Sequence, residues 1–264
     1  MNEDIPGPEF WSLVRPHTGA VSATRHTARG FGSDLTAVVE YANGPFFVKG
    51  MRNRRGGRRD SILRERAIAP TVRPLAPALR WAAEDENWIV LGYEVVDGRW
   101  ASFTPGSPGL SLVAELVNRI GVFSPPDVAL GWTEDRWDRF AELSAARFLR
   151  GNTLLHTDIH PSNVIVGDAD TWLVDWAWPT VGAAFIDPGC VVVQLVASGY
   201  APGQAEEWAA ECAGWRNAEQ AALDTFALAA HRMWAARAEG RPNEAWLAAM
   251  ASATRQWVTH RRLG

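Results

Sequence analysis

The alternation of apolar and polar positions divides this chain of 264 residues into a strand-rich first part and a helix-rich remainder. A short helix is predicted at 7–16, and residues 61–68 have the spacing of a helix with one buried side. Short apolar runs separated by turn residues predict strands at 21–25, 36–41, 46–49, 79–84 and 88–95. These patterns together predict a five-stranded antiparallel sheet accompanied by a helix.

The pattern becomes helical after the turn-like residues 96–99. Leucine and valine recur at helical spacing at 110–120, and apolar residues recur at helical spacing at 133–149. A continuous apolar run at 191–197 predicts a third helix. Alanine-rich sequence at 201–262 predicts three more helices. We therefore expect an α+β protein with a lobe boundary near residue 98, which gives an N-terminal lobe of residues 1–97 and a C-terminal lobe of residues 98–264.

Composition and charge narrow the class of protein. The content of 47% hydrophobic and 21% charged residues is ordinary for a globular protein, and a net charge of −4 gives no support for nucleic-acid binding. Two cysteines are too few for a disulfide framework, and no apolar run approaches the roughly 20 residues that span a bilayer. The N-terminus also lacks the pattern of a signal peptide. We expect a cytoplasmic protein without nucleic-acid or membrane partners.

The most informative chemistry lies between residues 154 and 175. Asn163 and Asp175 flank a predicted hairpin, in which two apolar runs enclose the turn 167–170, and Asp158 lies one loop earlier. A hairpin brings its ends together, so an amide oxygen and a carboxylate should lie side by side. Such a hard, incomplete ligand set suits Mg²⁺ that takes its other ligands from water and substrate phosphates. Asp158 would then be free to accept a proton from an attacking hydroxyl.

Residues 156–163, His-Thr-Asp-Ile-His-Pro-Ser-Asn, closely resemble the signature His-Gly-Asp-Leu-His-Pro-Gly-Asn of the aminoglycoside phosphotransferase family. The run Leu-Val-Asp-Trp at 173–176 likewise resembles that family's Ile-Asp-Trp, which stands where protein kinases have Asp-Phe-Gly. Thr157 and Ser162 depart from the signature, because glycine is usual at both positions. Both residues are small, so we expect adjustment of the backbone rather than loss of chemistry.

The resemblance implies a two-lobed protein-kinase-like fold that binds ATP or GTP and Mg²⁺. By this resemblance Asp158 is the catalytic residue, and Asn163 and Asp175 hold the metal. Asp187 would be the structural aspartate that caps the next helix and braces the catalytic loop. His156 and His160 are expected to brace the same loop.

The nucleotide site should lie in the first lobe. Gly30, Gly32 and Ser33 lie between two predicted strands, where a kinase has the loop that covers the phosphates, although Leu35 replaces a third glycine. Lys49 ends an apolar strand and could reach the α- and β-phosphates if a carboxylate on the next helix held it, and Glu65 is our choice.

The hinge between the lobes is expected to bind adenine. In kinases the backbone at the end of the last strand of the sheet makes these contacts. By resemblance, the adenine-facing candidates are Glu94, Val95 and Val96.

The acceptor is expected to be a small molecule, because the segment 178–186 after Asp175 is shorter than the activation segment of protein kinases. The last part of the chain, from residue 189, has seven acidic residues balanced by seven arginines, with five tryptophans. This balance favours a nucleoside-type or macrolide antibiotic over a polycationic aminoglycoside, in resistance or self-protection. A metabolic kinase for choline, homoserine or a sugar is an alternative.

Two further alternatives belong to other classes of protein. His156, Asp158 and His160 alternate as in some zinc or hydrolase sites, which would make the protein a metal-dependent hydrolase. A catalytically inactive, kinase-like binding protein is the other, and the intact residues Lys49, Asp158, Asn163 and Asp175 count against it. We expect a monomer or a weak homodimer.

Overall fold

The computed structural model describes residues 6–26, 33–41 and 44–263. The chain forms two compact units, one of Met1–Gly98 with Val174–Trp178, and the other of Arg99–Leu173 with Pro179–Gly264. The short segment Val174–Trp178, which the sequence-based division placed in the second lobe, thus groups with the first unit.

The first unit contains an antiparallel sheet with the strand order β1-β2-β3-β5-β4. Its strands are β1 (Val21–His26), β2 (Leu35–Tyr41), β3 (Gly44–Arg52), β4 (Leu79–Glu84) and β5 (Trp88–Glu94). Its helices are α1 (Pro8–Thr18) and α2 (Gly57–Val72). The predicted five strands and both helices are therefore confirmed.

Alternation along β3 directs its side chains to two different helices. Val48 packs in a core with Phe10 and Val14 of α1. Met51 packs on the other side of the sheet with Ile62 of α2. Lys49 has the same parity as Met51, so its side chain lies on the side of the sheet that α2 covers.

The second unit combines short sheets with helices. Its strands are β6 (Arg99–Trp100), β7 (Thr153–Leu155), β8 (Val164–Val166), β9 (Thr171–Leu173) and β10 (Thr180–Gly182). The hairpin predicted from residues 164–174 is confirmed by the pairing of β8 with β9, and β6 adds a third strand that the sequence did not indicate. The remaining pair is β10 with β7.

Most of the predicted helices in this unit are present. They are α3 (Leu110–Gly121), α4 (Ile186–Ala197), α5 (Pro202–Ala209), α6 (Ala213–Arg216), α7 (Gln220–Gly240) and α8 (Ala245–His260). Residues 201–262 thus hold the three expected helices and the additional short α6. None of the helices in the described part of the chain combines the length and apolar character needed to cross a membrane.

The helix predicted at 133–149 is wrong. The segment contains only short 3₁₀ turns at Asp138–Phe140 and Ala146–Leu149. Its beginning pairs with β10, because the N–H of Glu134 donates to Val181 O at 2.8 Å and the Glu134 carboxylate accepts a hydrogen bond from Thr180. The apolar spacing was misleading, since Leu143 is 96% exposed.

Candidate active site

In the first unit, the Lys49 ammonium group lies between two carboxylates. Its Nζ is 2.6 Å from Glu65 Oε2 and 2.7 Å from Asp175 Oδ1, and Lys49 and Glu65 are both buried. Burial alone would lower the pKa of Lys49, but the negative charges of Glu65 and Asp175 outweigh it and raise the pKa. Lys49 therefore stays positively charged near neutral pH.

Tyr93 was missed by the sequence analysis. Its hydroxyl donates a hydrogen bond to Glu65 Oε1 at 3.1 Å, so both oxygens of Glu65 are engaged. Burial and the nearby Glu65 charge raise the pKa of Tyr93 well above its ordinary value, and the phenol remains a neutral donor. Burial also raises the pKa of Glu65, which the Lys49 ammonium opposes.

The expected phosphate loop is only partly described. Gly30 and Gly32 lie outside the described residues. Ser33 is described, and its buried Oγ has no hydrogen-bond partner within the described ranges. The next residue, Asp34, accepts a hydrogen bond from Arg52 N at 2.8 Å, which ties the end of this loop to β3.

The hinge candidates are the last residue of β5, Glu94, and the two residues that follow it, Val95 and Val96. The N–H of Glu94 donates to Ala78 O at 3.0 Å, and its carboxylate accepts from Ala78 N at 2.8 Å and pairs with Arg80. The backbone N–H of Glu94 is therefore already hydrogen-bonded within the protein and cannot also donate to an adenine. Val95 and Val96 come after the last paired residue of the strand, and Val95 is exposed.

In the second unit, the carboxylate of Asp187 accepts hydrogen bonds from the predicted catalytic loop. The donors to this buried carboxylate are His156 N at 2.9 Å and Thr157 N at 2.7 Å. Burial raises the pKa of Asp187 to about 6, although these two donors oppose the shift. The expected cap on α4 is not seen, because Asp187 is the second residue of that helix and directs its oxygens to the loop.

Both loop histidines accept hydrogen bonds from the loop backbone. His156 Nδ1 accepts from Asp158 N, and His160 Nδ1 accepts from Ser162 N, each at 3.2 Å. His160 Nε2 also lies 3.7 Å from Asp158 Oδ2. Among the described residues, no three His, Cys, Asp or Glu side chains form a group that could hold a metal ion. This geometry favours bracing over the zinc-site alternative.

Asp158 and Asn163 are linked directly. Asn163 Nδ2 donates to Asp158 O at 3.0 Å and lies 3.4 Å from Asp158 Oδ2. The Asp158 side chain is 66% exposed. Partial burial raises the pKa of Asp158. The hydrogen bond to His160 and the charges of His160, His156 and Arg136 outweigh this effect, so that the pKa is lowered. Asp158 is therefore a carboxylate at neutral pH, open to solvent and positioned by the loop.

Thr157 adopts the left-handed backbone conformation, with φ of 64°. This conformation costs a β-branched residue more than glycine, which explains why glycine suits this position in the similar signature. Arg136, a residue that the sequence analysis missed, donates to Thr157 Oγ1 at 2.8 Å and lies 3.4 Å from Thr157 O. No sequence signal pointed to Arg136. It lies in the segment wrongly predicted as a helix, and nothing in that pattern indicated a contact with Thr157.

Comparison with known proteins identifies the fold. No family model and no curated protein matches the sequence. A spectinomycin phosphotransferase in complex with ADP and spectinomycin is 12% identical, over 97% of this chain and 94% of that chain, with a TM-score of 0.61. The choline kinase of Streptococcus pneumoniae is 10% identical, over 95% and 98%, with a TM-score of 0.66.

A macrolide 2′-phosphotransferase from Brachybacterium faecium is 17% identical, over 93% of this chain and 97% of that chain, with a TM-score of 0.56. Identities this low establish the fold alone. The similarity extends over nearly the whole of each chain, so it is not confined to one motif. The chain has the kinase-like α+β fold of the aminoglycoside phosphotransferases and related small-molecule kinases, as the sequence predicted.

Proposed function

We propose that this protein transfers the γ-phosphate of ATP or GTP to a hydroxyl group of a small molecule. The observation that carries the proposal is the buried Lys49 ammonium group between Glu65 and Asp175. A buried ion pair adds little net stability to a folded protein, since the free energy lost on desolvation offsets most of the attraction. A lysine fixed in this way is instead suited to hold the phosphates of a nucleotide.

Two of the similar structures support a nucleotide and a small acceptor. One was determined with ADP and spectinomycin, and another is a choline kinase. An antibiotic and a metabolite are thus both represented among proteins of this fold. The proposal accordingly covers both kinds of acceptor.

Asn163 and Asp175 are the residues that would hold Mg²⁺. Asn163 uses its amide nitrogen on Asp158, and its amide oxygen has no donor within the described part of the chain. Asp175 uses Oδ1 on Lys49, which leaves a second carboxylate oxygen. With phosphate and water as further ligands, one amide and one carboxylate oxygen would form a donor set that suits Mg²⁺. Bound Mg²⁺ would neutralise charge on the transferring phosphate.

Asp158 would orient the acceptor hydroxyl and accept its proton. The lowered pKa of Asp158 keeps the carboxylate ionised, as an acceptor requires. The loop is braced at both ends, by Asp187 at His156 and Thr157 and by Asn163 at Asp158. We further propose that Gly30, Gly32 and Ser33 cover the phosphates, and that the backbone of Val95 and Val96 binds the base.

The test is release of nucleoside diphosphate with Mg²⁺ and ATP or GTP. The acceptor panel would contain aminoglycosides, macrolides, nucleoside antibiotics, choline and homoserine. Asp158→Asn should abolish release, whereas Asp168→Asn, an exposed aspartate in the β8–β9 turn, serves as the matched control and should retain it. Equal release by wild type and Asp158→Asn would refute the assigned role of Asp158, and failure to bind either Mg–nucleotide would refute the kinase function.

A further inference from the structure

Four arginines of the second unit interact through their charges: Arg136, Arg139 and Arg241 each act on Arg237, and Arg136 and Arg237 also act on Asp158. Arg136 contacts Thr157, the residue before Asp158. Helix α7, which carries Arg237, packs against the two 3₁₀ turns of residues 138–149. Burial lowers the pKa of Arg237, the positive charges of Arg136, Arg241 and Arg139 lower it further, and the negative charge of Asp158 raises it. Helix α7 also contacts this segment through Arg232, whose Nη1 donates a hydrogen bond to Phe140 O at 2.8 Å.

The positive charge of this cluster is incompletely neutralised. Arg136 lies 3.9 Å from the buried Glu134, and Arg241 pairs with Glu244 at 3.3 Å. Arg237 is half-buried, and its guanidinium contacts the ring of Trp234 at 4.9 Å. Neither Arg139 nor Arg237 forms an ion pair with a carboxylate of the described residues, and the guanidinium of Arg139 lies 4.6 Å from the Phe140 ring.

Other arginines of this unit do have carboxylate partners. Arg232, also on α7, pairs with Glu142, Arg150 pairs with Asp138, and Arg261 pairs with both Glu206 and Asp224. A solvated surface would explain an exposed arginine such as Arg139. It does not explain Arg237, which is half-buried and has no ion pair among the described residues, so that the charge of Asp158 opposes three positive neighbours without a direct contact.

Two tryptophans extend the cluster with a flat apolar surface. Trp234 and Trp246 pack edge to face with their ring centroids 5.9 Å apart. Trp246 is 53% exposed, and its Nε1 donates to Glu244 Oε2 at 2.7 Å, which fixes the ring. The other three tryptophans of the C-terminal helices are buried in the core. Trp246 is thus available to stack on a ligand.

We propose that the hydroxyl acceptor carries an anionic group, a carboxylate or a phosphate, which Arg237 binds together with its neighbouring arginines, and a flat group that packs on Trp246. This assignment rests on the proposed function, because it places the acceptor hydroxyl at Asp158. Guanidinium groups match the geometry of both anions. A polycationic aminoglycoside would meet repulsion at the same surface.

The experiment uses four para-substituted probes that share one hydroxymethyl group and one ring. They are hydroxymethylbenzoate, hydroxymethylphenyl phosphate, the neutral hydroxymethylbenzamide and the cationic hydroxymethylbenzylamine. Dissociation constants are measured by ligand-observed NMR on the full chain without nucleotide. Comparison of the first two probes distinguishes carboxylate from phosphate.

We expect the better anion to bind roughly tenfold or more tightly than the neutral probe, since hydrogen bonds to charged groups have effects of this size. Arg237→Met should remove that preference, and Arg139→Met, an exposed position that is safe for folding, should reduce it. Arg255→Met, an exposed arginine on α8, is the matched control and should leave it unchanged. Tightest binding of the amine, or an undiminished preference in Arg237→Met, would overturn the assignment.

An assay of nucleotide binding and phosphate transfer tests the anionic acceptor separately from the proposed kinase function on which it rests. An anion preference that depends on Arg237, in a protein that binds neither Mg–ATP nor Mg–GTP, would refute the kinase function and support the anion site. Transfer to a polycationic acceptor at a rate that Arg237→Met leaves unchanged or improves would support the kinase and overturn the anionic acceptor.

Discussion

Arg136 Nη2 donates a hydrogen bond to Thr157 Oγ1 at 2.8 Å, and Thr157 has a positive φ of 64°. A threonine thus occupies a backbone conformation that favours glycine, directly before the proposed catalytic residue Asp158. The left-handed conformation costs roughly 1–2 kcal/mol for a residue with a Cβ. The hydrogen bond to the charged guanidinium contributes about 1.5–3 kcal/mol and offsets that cost.

The first prediction concerns the order of stability at this position. Thr157→Ala should lower the free energy of unfolding by about 2 kcal/mol, because it loses the hydrogen bond and keeps the Cβ. Thr157→Gly should be more stable than Thr157→Ala by about 1 kcal/mol, because glycine accepts this φ. Urea unfolding of both variants checks the order. An alanine variant as stable as the glycine variant would show that the backbone strain is negligible.

The second prediction concerns the buried ion pair in the first unit. Lys49→Met should destabilise the protein by about 3 kcal/mol, because it leaves the Glu65 carboxylate buried near Asp175 without a cation. This figure is at the lower end of the usual range, since the Asp175 side chain is 39% exposed and water screens part of its charge.

The double variant Lys49→Met/Glu65→Gln is the control for that prediction. It removes the uncompensated buried charge together with the lysine. It should therefore recover part of the lost stability in the same urea measurement. A double variant less stable than Lys49→Met would mean that packing, rather than charge, dominates the effect.

The third prediction is a pH dependence that arises from Asp187. Its pKa is raised from the ordinary 3.8 to about 6 in the folded protein, so the folded state binds the proton more tightly than the unfolded state. The contribution of Asp187 to stability is therefore fully present below pH 3.8 and is lost as the pH rises through about 6. The corresponding change in the free energy of unfolding is about 3 kcal/mol.

Asp187→Asn isolates this contribution. The difference in unfolding free energy between wild type and variant should shift in favour of the variant as the pH rises from 4 to 7. Denaturant unfolding at a series of pH values measures the shift. A difference that is constant with pH, or one that shifts in favour of the wild type, would contradict the raised pKa.

Much of the fold could be predicted because its signals are local. Alternation and turn residues indicated the sheet and the β8–β9 hairpin, and α2 follows β3 directly, so Lys49 and Glu65 could be paired on chain order alone. The predicted helix at 133–149 failed at its beginning because a β-bridge between Thr133 and Val181 overrides the local apolar pattern.

The positions that sequence could not provide depend on distant contacts. Arg136 and Arg237 are about 100 residues apart in the chain, and only the fold lets the charges of both act on Asp158. The sequence showed seven arginines against seven carboxylates in the last part of the chain, but it could not show which of them remain unpaired. Thr157 was recognised as a departure from the similar signature, yet its φ and the role of Arg136 required the structure.

The central claim is transfer of a phosphate group to an acceptor, and the location of a label tests it most directly. Release of diphosphate alone does not distinguish an acceptor hydroxyl from water. With γ-³²P-labelled ATP or GTP, Mg²⁺ and the acceptor panel, the label should appear on one acceptor in the wild type and in Asp168→Asn, and should be absent from it in Asp158→Asn. Label that appears only as inorganic phosphate, or transfer that Asp158→Asn leaves unchanged, would contradict the account.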